Sequence, residues 1–268
     1  SLYFDGQGDN MRIPAGINLS GKSFTIELWA RRAAENQACF FSQGTTQAQG
    51  LWLGFNADNQ FAASLAGATI ATENPIANDG AWHHYAWAYD HISGTSVLYI
   101  DGEKMQEASL VADYQGSGII YAGQRNFDGP AYFNGNIHEL RLWYKPRTQP
   151  DLVANFYKTM NGNEVGLAGC WMMNEAFGEF AVDKVHHRNG MVNAQWAVEP
   201  MGQAIAFDGT SQALELPANT LVFSDGHSFT LEFWFKAAQA QDACLFSNGK
   251  GESAQPESWT VQSTADGA

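Results

Sequence analysis

The chain contains a long internal repeat, and this repeat constrains the fold more than any other feature of the sequence. Each copy starts with Phe-Asp-Gly, continues with a Ser-Phe-Thr block that ends in Trp, and then has an Ala-Cys block that ends in Phe-Ser. These blocks are residues 4–6, 23–29 and 38–42 in the first copy and residues 207–209, 228–234 and 243–247 in the second. We therefore predict two copies of one folding unit.

The repeat also predicts how the chain is divided. Residues 1–160 form one complete unit, residues 161–203 connect the copies or supply the first strand of the next unit, and residues 204–268 open a second unit. The second copy stops before the strands that close the first. Because the chain begins at Ser1 and directly with a strand, we expect it to be a piece of a longer protein with further domains.

The charge balance excludes several classes of partner. The chain carries 28 acidic and 14 basic residues, which gives a net charge of −14. Such a chain repels phosphate backbones and anionic lipids, so we expect no nucleic-acid binding. No apolar run is long enough to span a bilayer, so we also expect no membrane insertion. Acidic surfaces suit calcium, although surface carboxylates also keep proteins soluble.

Alternation with a period of two dominates the first copy. Polar turns separate short runs rich in aromatic and β-branched residues, which is typical of an antiparallel β-sandwich. The predicted strands are residues 24–29, 50–55, 82–90, 95–100, 118–122 and 137–144. We predict an all-β protein of the jelly-roll kind, with one complete unit and part of a second. A short helix is predicted from Thr148 through Tyr157, with Pro150 in its first turn.

Cysteine and histidine residues could suggest other chemistry. The cysteines are Cys39, Cys170 and Cys244, of which the first and last occupy equivalent positions in separate copies, so we expect three buried thiols and no disulfide. His83 and His84 are adjacent on a predicted strand and point to opposite faces, so they cannot bind one metal ion.

A catalytic role for carboxylates would need two of them on one strand face, as in glycoside hydrolases. Glu27 and Glu232 are single carboxylates at equivalent positions of the two copies. Motifs for other hydrolases, phosphate loops and zinc sites are also absent from the sequence. We therefore expect this chain not to be an enzyme.

Several sequence blocks of the first copy resemble a known family. The Phe-Asp-Gly start, the strand at 23–29, the Trp-His-His-Tyr run at 82–90, the Tyr-Ile-Asp-Gly run at 99–102 and the closing strand at 133–143 are similar to laminin G-like jelly-roll domains. These belong to the concanavalin A-like lectin/glucanase superfamily. The resemblance covers the first copy almost end to end, and residues 166–190 are similar to the segment between two such domains. It implies the fold, but the fold serves several functions.

The resemblance also implies a calcium site near the meeting point of the first and last strands. Carried over to this sequence, the ligands are Asp5, Glu139 and the carbonyl groups around Asn136, with Asp208 as the counterpart in the second copy. His138 stands where the family often has a carboxylate. The alternative is that Asp5 and Asp208 cap their own Asp-Gly turns.

Glycan binding needs aromatic faces for the sugar rings and polar loop groups for the hydroxyls. The candidate ligand-binding residues are Trp52, Tyr114, Phe127, Asp128, Tyr132 and Asn134. The alternative is that these aromatic residues belong to the core of the sandwich.

These observations predict a non-catalytic recognition or adhesion module that binds a glycan or a protein through loops at one edge. By resemblance, we expect it in an extracellular or cell-surface protein. A structural spacer without a ligand is the main alternative, and a domain related to glycoside hydrolases is a third.

Overall fold

The structure is a computed structural model that describes residues 1–14, 17–116 and 118–197, together with residues 207–210, 212–215, 230, 231, 233, 235, 242–248 and 259–264. The chain divides into two compact units, residues 1–203 and 204–268. The boundaries predicted at residues 160 and 161 remain a prediction.

The first unit consists of two large antiparallel sheets and a separate two-stranded hairpin at residues 124–132. Its strands are β1 (Leu2–Asp5), β2 (Asn10–Ile13), β3 (Phe24–Arg32), β4 (Ala38–Gln43), β5 (Leu51–Phe55), β6 (Phe61–Leu65), β7 (Ala68–Ala71), β8 (Trp82–Tyr89), β9 (Thr95–Ile100), β10 (Glu103–Ser109), β11 (Ile120–Ala122), β12 (Gln124–Arg125), β13 (Ala131–Tyr132), β14 (Asn134–Trp143), β15 (Leu167–Trp171), β16 (Phe180–Ala181), β17 (Gly190–Asn193) and β18 (Gln195–Trp196). The first sheet has the order β10-β9-β8-β3-β14-β1-β18, with β15 also paired to β14. The second sheet has the order β16-β17-β2-β11-β4-β5-β6-β7. The predicted all-β sandwich is confirmed.

The core lies between the two sheets and is rich in aromatic residues. The ring of Phe40 from the second sheet lies 4.9 Å from Tyr85 of the first and 5.0 Å from Phe133. Phe24 meets Trp87 edge to face at 5.0 Å. These side chains are inward because every second residue of a strand faces the same side. Such edge-to-face pairs add to the free energy that burial supplies.

A segment that we call the strap, residues 145–158, crosses the outer face of the first sheet. It contains the helix α1 (Gln149–Val153), which begins as predicted but ends earlier than Tyr157. The N–H of Thr148 donates to Asp151 Oδ2 at 3.0 Å, which caps the helix. Leu152 is buried against Ala86 and Ala88 of β8. The strap therefore buries a sheet face that alternation alone leaves open to water.

A charged network lies under the strap. Glu27 Oε1 accepts hydrogen bonds from Arg147 Nη1 at 2.6 Å and Trp143 Nε1 at 2.9 Å, and lies 3.5 Å from Arg141 Nη1. Arg141 also forms an ion pair with Glu139. All four charged side chains are buried. Two carboxylates and two guanidinium groups thus neutralise one another in a place that water does not reach.

The same arginine ties the strap to the sheet. Arg141 Nη1 donates to the carbonyl of Asn155 at 2.9 Å, and its Nη2 donates to the carbonyl of Lys158 at 3.0 Å. The hydroxyl of Thr25 donates to the carbonyl of Lys145 at 2.8 Å. Strand β3 is therefore buried on both faces, which differs from the half-buried strand that its alternation predicts.

The segment that follows the strap contributes to both sheets of the first unit through residues 167–196. Strand β15 pairs with β14, β17 pairs with β2, and β18 pairs with β1. The backbone N–H of Ala197 donates to the carbonyl of Ser1 at 3.0 Å. The strands of this segment therefore lie in the first unit, whereas the sequence left open that one of them starts the next.

The two histidines on β8 lie on opposite faces, as predicted. His84 is buried beside the ring of Phe156, at 4.7 Å, and burial lowers its pKa to about 4. His83 Nδ1 lies 2.6 Å from Asp101 Oδ2, and this hydrogen bond is the main reason that the pKa of His83 rises to about 9. They share no metal site.

The prediction of buried thiols is confirmed for Cys39 and Cys170 and wrong for Cys244, which is exposed; all three are free. Burial raises the pKa of the Cys39 and Cys170 thiols to about 12, so both are inert.

The second unit has two described strands, β19 (Ala243–Asn248) and β20 (Trp259–Ser263), which pair antiparallel. The repeat is visible in their local structure. Both β4 and β19 have an irregularity after the cysteine, and both thiols donate to a carbonyl two residues later, that of Phe41 or Phe246.

Candidate binding face

The outer face of the second sheet carries a continuous row of side chains, one from each strand. We call it the outer row. Its members, in the order in which the strands pair, are Phe180, Met191, Arg12, Tyr121, Ser42, Trp52, Ser64 and Thr69. Their sequence neighbours Met11, Ala122, Phe41 and Leu53 face the core, so alternation turns the outer row away from it.

The outer row has an open half and a covered half. Phe180 and Met191 are each 47% exposed, Arg12 is exposed and Tyr121 is half-buried. On the other side, Ser42, Trp52 and Ser64 are buried, and only Thr69 at the end of that half is exposed. The open half combines an aromatic ring and a cation with apolar side chains, a composition that suits a sugar ring with polar substituents.

The hairpin of β12 and β13 covers part of the row. Phe127 and Ala131 pack with Trp52, Cys39 and Ala62 on the outer face. The hydroxyl of Ser42 donates to the carbonyl of Gln124 at 2.6 Å. A Cβ atom at Gly50 would lie 2.4 Å from the Phe127 ring, so a glycine is needed there for the hairpin to lie this close.

Arg125 of the hairpin lies over the covered half. Its Cζ is 4.9 Å from the centre of the Trp52 ring, and its side chain is only 4% exposed. Nη2 donates to the carbonyls of Asp128 and Gly129 at 3.3 and 3.4 Å, which are long hydrogen bonds. Within the described residues, Nε has no partner and no carboxylate lies within ion-pair distance.

The structure brings four of the predicted ligand-binding residues to this hairpin region. Trp52 and Phe127 are buried in one cluster, Asp128 is exposed in the hairpin loop, and Tyr132 is half-buried on β13. The rings of Trp52 and Phe127 therefore pack against other protein side chains, in agreement with the alternative that these aromatic residues serve packing. Asp128 and Tyr132 remain accessible on the hairpin.

The other two predicted residues lie elsewhere. Tyr114 is buried, and its hydroxyl donates to Gln43 Oε1 at 2.7 Å. It lines a cavity of about 240 Å³ at one end of the sandwich, together with Phe24 and Tyr89. Asn134 pairs with Asp5 on the first sheet. Tyr114 and Asn134 lie apart from the hairpin because loops of similar composition connect strands at different edges of the sandwich.

Tyr121 and Arg12 were not among the predicted residues. Tyr121 stands between Ile120 and Ala122, and both of these face the core, so the alternation does indicate that Tyr121 points outward. The strand register that sets Tyr121 between Arg12 and Ser42 cannot be read from the local sequence pattern. Long-range pairing created the row, and local patterns do not encode it.

The predicted calcium ligands have other partners. Asp5 Oδ1 accepts from the N–H of Gln7 at 2.7 Å, which is the turn capping that the alternative interpretation describes. Asn136 Oδ1 accepts from Arg31 Nη2 at 3.0 Å, and Glu139 is paired with Arg141.

Asp208, the fourth predicted calcium ligand, belongs to the second unit. Its Oδ1 accepts from the N–H of Thr210 at 2.9 Å, as Asp5 does in the first copy. No group of three or more His, Cys, Asp or Glu side chains suited to a metal ion occurs among the described residues. Calcium remains a prediction from the family.

Two carboxylates do come together, under the strap. Glu27 and Glu139 both contact Arg141, and both are buried. Burial raises the pKa of Glu139, and the nearby Arg141 opposes that rise. A glycosidase needs its pair in an open cleft with room for a sugar, so this pair serves the packing of the strap.

Within the described chain, no helix has the length and apolar character that crossing a bilayer requires.

Comparison with known proteins agrees with this architecture. The laminin G model of the concanavalin A-like lectin/glucanases superfamily matches residues 5–153, more than half of the chain. The rat and mouse forms of sushi, von Willebrand factor type A, EGF and pentraxin domain-containing protein 1 are 33% identical over 81 residues. That match covers 27% of this chain, which spans only 2% of the length of those relatives.

A solved structure has the same fold. It is that of a candidate carbohydrate-binding protein from Bacteroides ovatus, with a TM-score of 0.58 and 20% identity. The similarity covers 75% of this chain and 62% of that one. The family match and the double-sheet architecture agree over the same residues, and the chain therefore belongs to the concanavalin A-like lectin/glucanases superfamily, with a laminin G-type domain at residues 5–153.

Proposed function

We propose that the chain is a non-catalytic carbohydrate-binding module and that its glycan lies on the open half of the outer row. The observation that carries this proposal is the position of Tyr121, whose half-buried ring stands on the outer face between exposed Arg12 and the wall formed by the hairpin. A sugar stacks on such a ring through its C–H face, while neighbouring polar groups bind its hydroxyls.

Two further observations support the proposal. The hairpin beside the open half presents exposed Asn126 and Asp128 and half-buried Tyr132, which supply hydrogen-bonding groups at the edge of the platform. The similar structure from Bacteroides ovatus is that of a candidate carbohydrate-binding protein. By family resemblance, the module belongs to an extracellular or surface protein, where it acts in recognition or adhesion and where calcium assists binding.

The experiment is a glycan array followed by calorimetry on the hits, with wild-type protein and Tyr121→Ala. Loss of a stacking ring costs about 0.5–1.5 kcal/mol, so the dissociation constant should rise about twofold to twelvefold. Tyr144→Ala is the matched control, because Tyr144 is a partly exposed tyrosine directly after β14, at the end of the first sheet. Each measurement is made with calcium and with EDTA, which tests the proposed calcium dependence separately.

Two results would contradict the proposal. If Tyr121→Ala binds as tightly as wild type while Tyr144→Ala does not, the glycan lies on another face. If folded wild-type protein binds no glycan with or without calcium, the second candidate function, a structural spacer, is correct. The pairing of the first unit, in which residues 167–196 add strands to both sheets, favours that second candidate as a rigid spacing element.

A further inference from the structure

A cavity of about 240 Å³ opens at one end of the first unit, and the proposed glycan site makes no use of it. We call it the end cavity. It lies where the two sheets end, because Phe24 begins β3, Tyr89 ends β8 and Leu65 ends β6. Pockets for drug-sized ligands have volumes of roughly 300 to 1,000 Å³. The end cavity is slightly smaller, so it suits a molecule of one or two rings.

The floor of the end cavity is apolar and rich in aromatic rings. Phe24, Tyr89 and Tyr114 line it, and all three are buried. The centres of the Phe24 and Tyr89 rings lie 5.3 Å apart. The Tyr89 hydroxyl donates to the carbonyl of Leu110 at 3.3 Å, and the Tyr114 hydroxyl donates to Gln43 Oε1 at 2.7 Å. Because both hydroxyl protons are already used, the tyrosines offer a ligand their rings.

The mouth of the end cavity is polar and is formed by three loops. Gly21 and Lys22 lie between β2 and β3, His91 lies between β8 and β9, and Asp113 lies between β10 and β11. These four residues are exposed. A Cβ atom at Gly21 would lie 4.0 Å from His91 Nε2, so two of the loops approach each other there. The end cavity therefore has an apolar floor and a wet, polar mouth, which suits an amphipathic ligand.

The two charged residues at the mouth differ in how far the protein already uses them. Lys22 Nζ donates to the carbonyl of Asn18 at 3.1 Å and lies 4.5 Å from the centre of the Tyr144 ring. Asp113 is the one acid among the described lining residues. It accepts a hydrogen bond from the amide of Gln115 at 2.5 Å, and it forms no ion pair within the described residues.

The sign of the ligand charge follows from this difference. A carboxylate accepts about four hydrogen bonds, so Asp113 has capacity left for a donor from a ligand. The net charge of −14 also attracts cations toward the protein and repels anions. Both facts favour a ligand whose polar end is an ammonium group.

We propose that the end cavity binds a small aromatic amine, with its ring among Phe24, Tyr89 and Tyr114 and its ammonium group at Asp113. This inference goes beyond the proposed function and uses different residues. Aromatic rings gain from edge-to-face and offset contacts in addition to burial. An ammonium group forms charge-assisted hydrogen bonds with a carboxylate, which are stronger than those of a neutral donor.

The experiment compares four small molecules by calorimetry at pH 7. Tryptamine has both the ring and the ammonium group, tryptophol replaces the ammonium by a hydroxyl, indole-3-acetate replaces it by a carboxylate, and hexylamine keeps the charge without the ring. We expect tryptamine to bind about tenfold more tightly than each of the other three, because each lacks one of the two contributions.

Variants then locate the binding. Asp113→Asn should lower the affinity for tryptamine about tenfold and leave that for tryptophol unchanged. Ala112→Phe enlarges a side chain that lines the end cavity and should weaken both. Asp58→Asn is the matched control, because Asp58 is an exposed acid in the turn at the other end of the β5–β6 hairpin from Leu65. Thermal melting verifies folding, and exposed Asp113 keeps the test valid if Ala112→Phe unfolds.

Three outcomes would overturn the inference. Equal affinity for tryptamine and tryptophol means that the ammonium group is not recognised. Tryptamine binding that survives both Asp113→Asn and Ala112→Phe lies outside the end cavity. Glycan binding that Ala112→Phe abolishes and Tyr121→Ala preserves, without any binding of tryptamine, means that the end cavity takes a sugar. Absence of tryptamine binding alone contradicts this inference and leaves the glycan site at Tyr121 untouched.

Discussion

Each sheet of the first unit carries an arginine that lies on a tryptophan ring of its outer face. On the first sheet, the Cζ of Arg147 is 4.3 Å from the Trp143 ring, and on the second, that of Arg125 is 4.9 Å from Trp52. The surroundings differ in one respect. Arg147 also binds Glu27 at 2.6 Å, whereas Arg125 has no described carboxylate partner.

This difference separates a face that the fold has closed from one that it leaves available. The strap covers the first face, and the two carboxylates there balance the two guanidinium groups. The second face has aromatic rings and cations, and its hairpin covers only half of the row. A buried charge that the protein itself neutralises stabilises packing.

We expect the largest effect from breaking the charged network on the closed face. Arg141→Met removes the cation that Glu27 and Glu139 share and leaves two carboxylates buried with less compensation. We expect the free energy of unfolding in urea to fall by about 3 to 5 kcal/mol. Lys104→Met is the control, because its pair with Glu107 is exposed to solvent and should contribute little to stability. Equal losses for the two variants would mean that the buried network has no special role.

An intermediate effect comes from acid. Burial lowers the pKa of His84 to about 4, so the folded state holds a neutral imidazole, while the unfolded chain binds a proton near pH 6.5. This stabilisation is complete above pH 6.5 and is lost as the pH falls toward 4, by about 3 kcal/mol at most.

Urea unfolding at several pH values between 7 and 4 measures this loss, with exposed His91→Gln as the control. In the His84→Gln variant, the free energy of unfolding should depend less on pH than in the wild type. His138, whose pKa burial also lowers to about 4, would keep part of the slope. A stability that does not change over this pH range would contradict the assignment of neutral histidines.

The smallest effect sharpens the comparison on the second face. Arg125→Met loses a cation–π contact of about 0.5 to 1 kcal/mol and removes an uncompensated buried charge, which offsets that loss. We expect the free energy of unfolding to change by less than about 1 kcal/mol, whereas the same substitution at position 141, Arg141→Met, should lower it by about 3 to 5 kcal/mol. If Arg125→Met lowers the free energy of unfolding as much as Arg141→Met does, Arg125 stabilises the fold in the same way as Arg141.

Local patterns predicted much of the fold. The period of two placed β3, β5, β8 and β9 within a few residues, because alternation depends only on neighbours in the chain. Thr148 and Pro150 located the start of α1 for the same reason. The end of α1 and the burial of Glu27 were not predicted, since both depend on how the strap returns over the sheet.

The candidate site was harder to predict, for a related reason. Trp52 and Phe127 were chosen as aromatic residues near loops, but the hairpin folds onto β5 and buries both rings against each other. Tyr121 was missed because its importance comes from strand register, which brings Arg12 and Ser42 to its sides. A binding face is assembled by long-range pairing, whereas a strand or a helix cap is written in a few consecutive residues.

The hydrogen bonds between Ser1 and Ala197 have a consequence for protein engineering. The N-terminal amino group donates to the Ala197 carbonyl at 3.2 Å, and the Ala197 N–H donates back at 3.0 Å. Residues 1 and 197 are therefore side by side. We expect the segment between them to tolerate insertion into a surface loop of a host protein without spreading that loop, and circular permutation by a short linker between these two points.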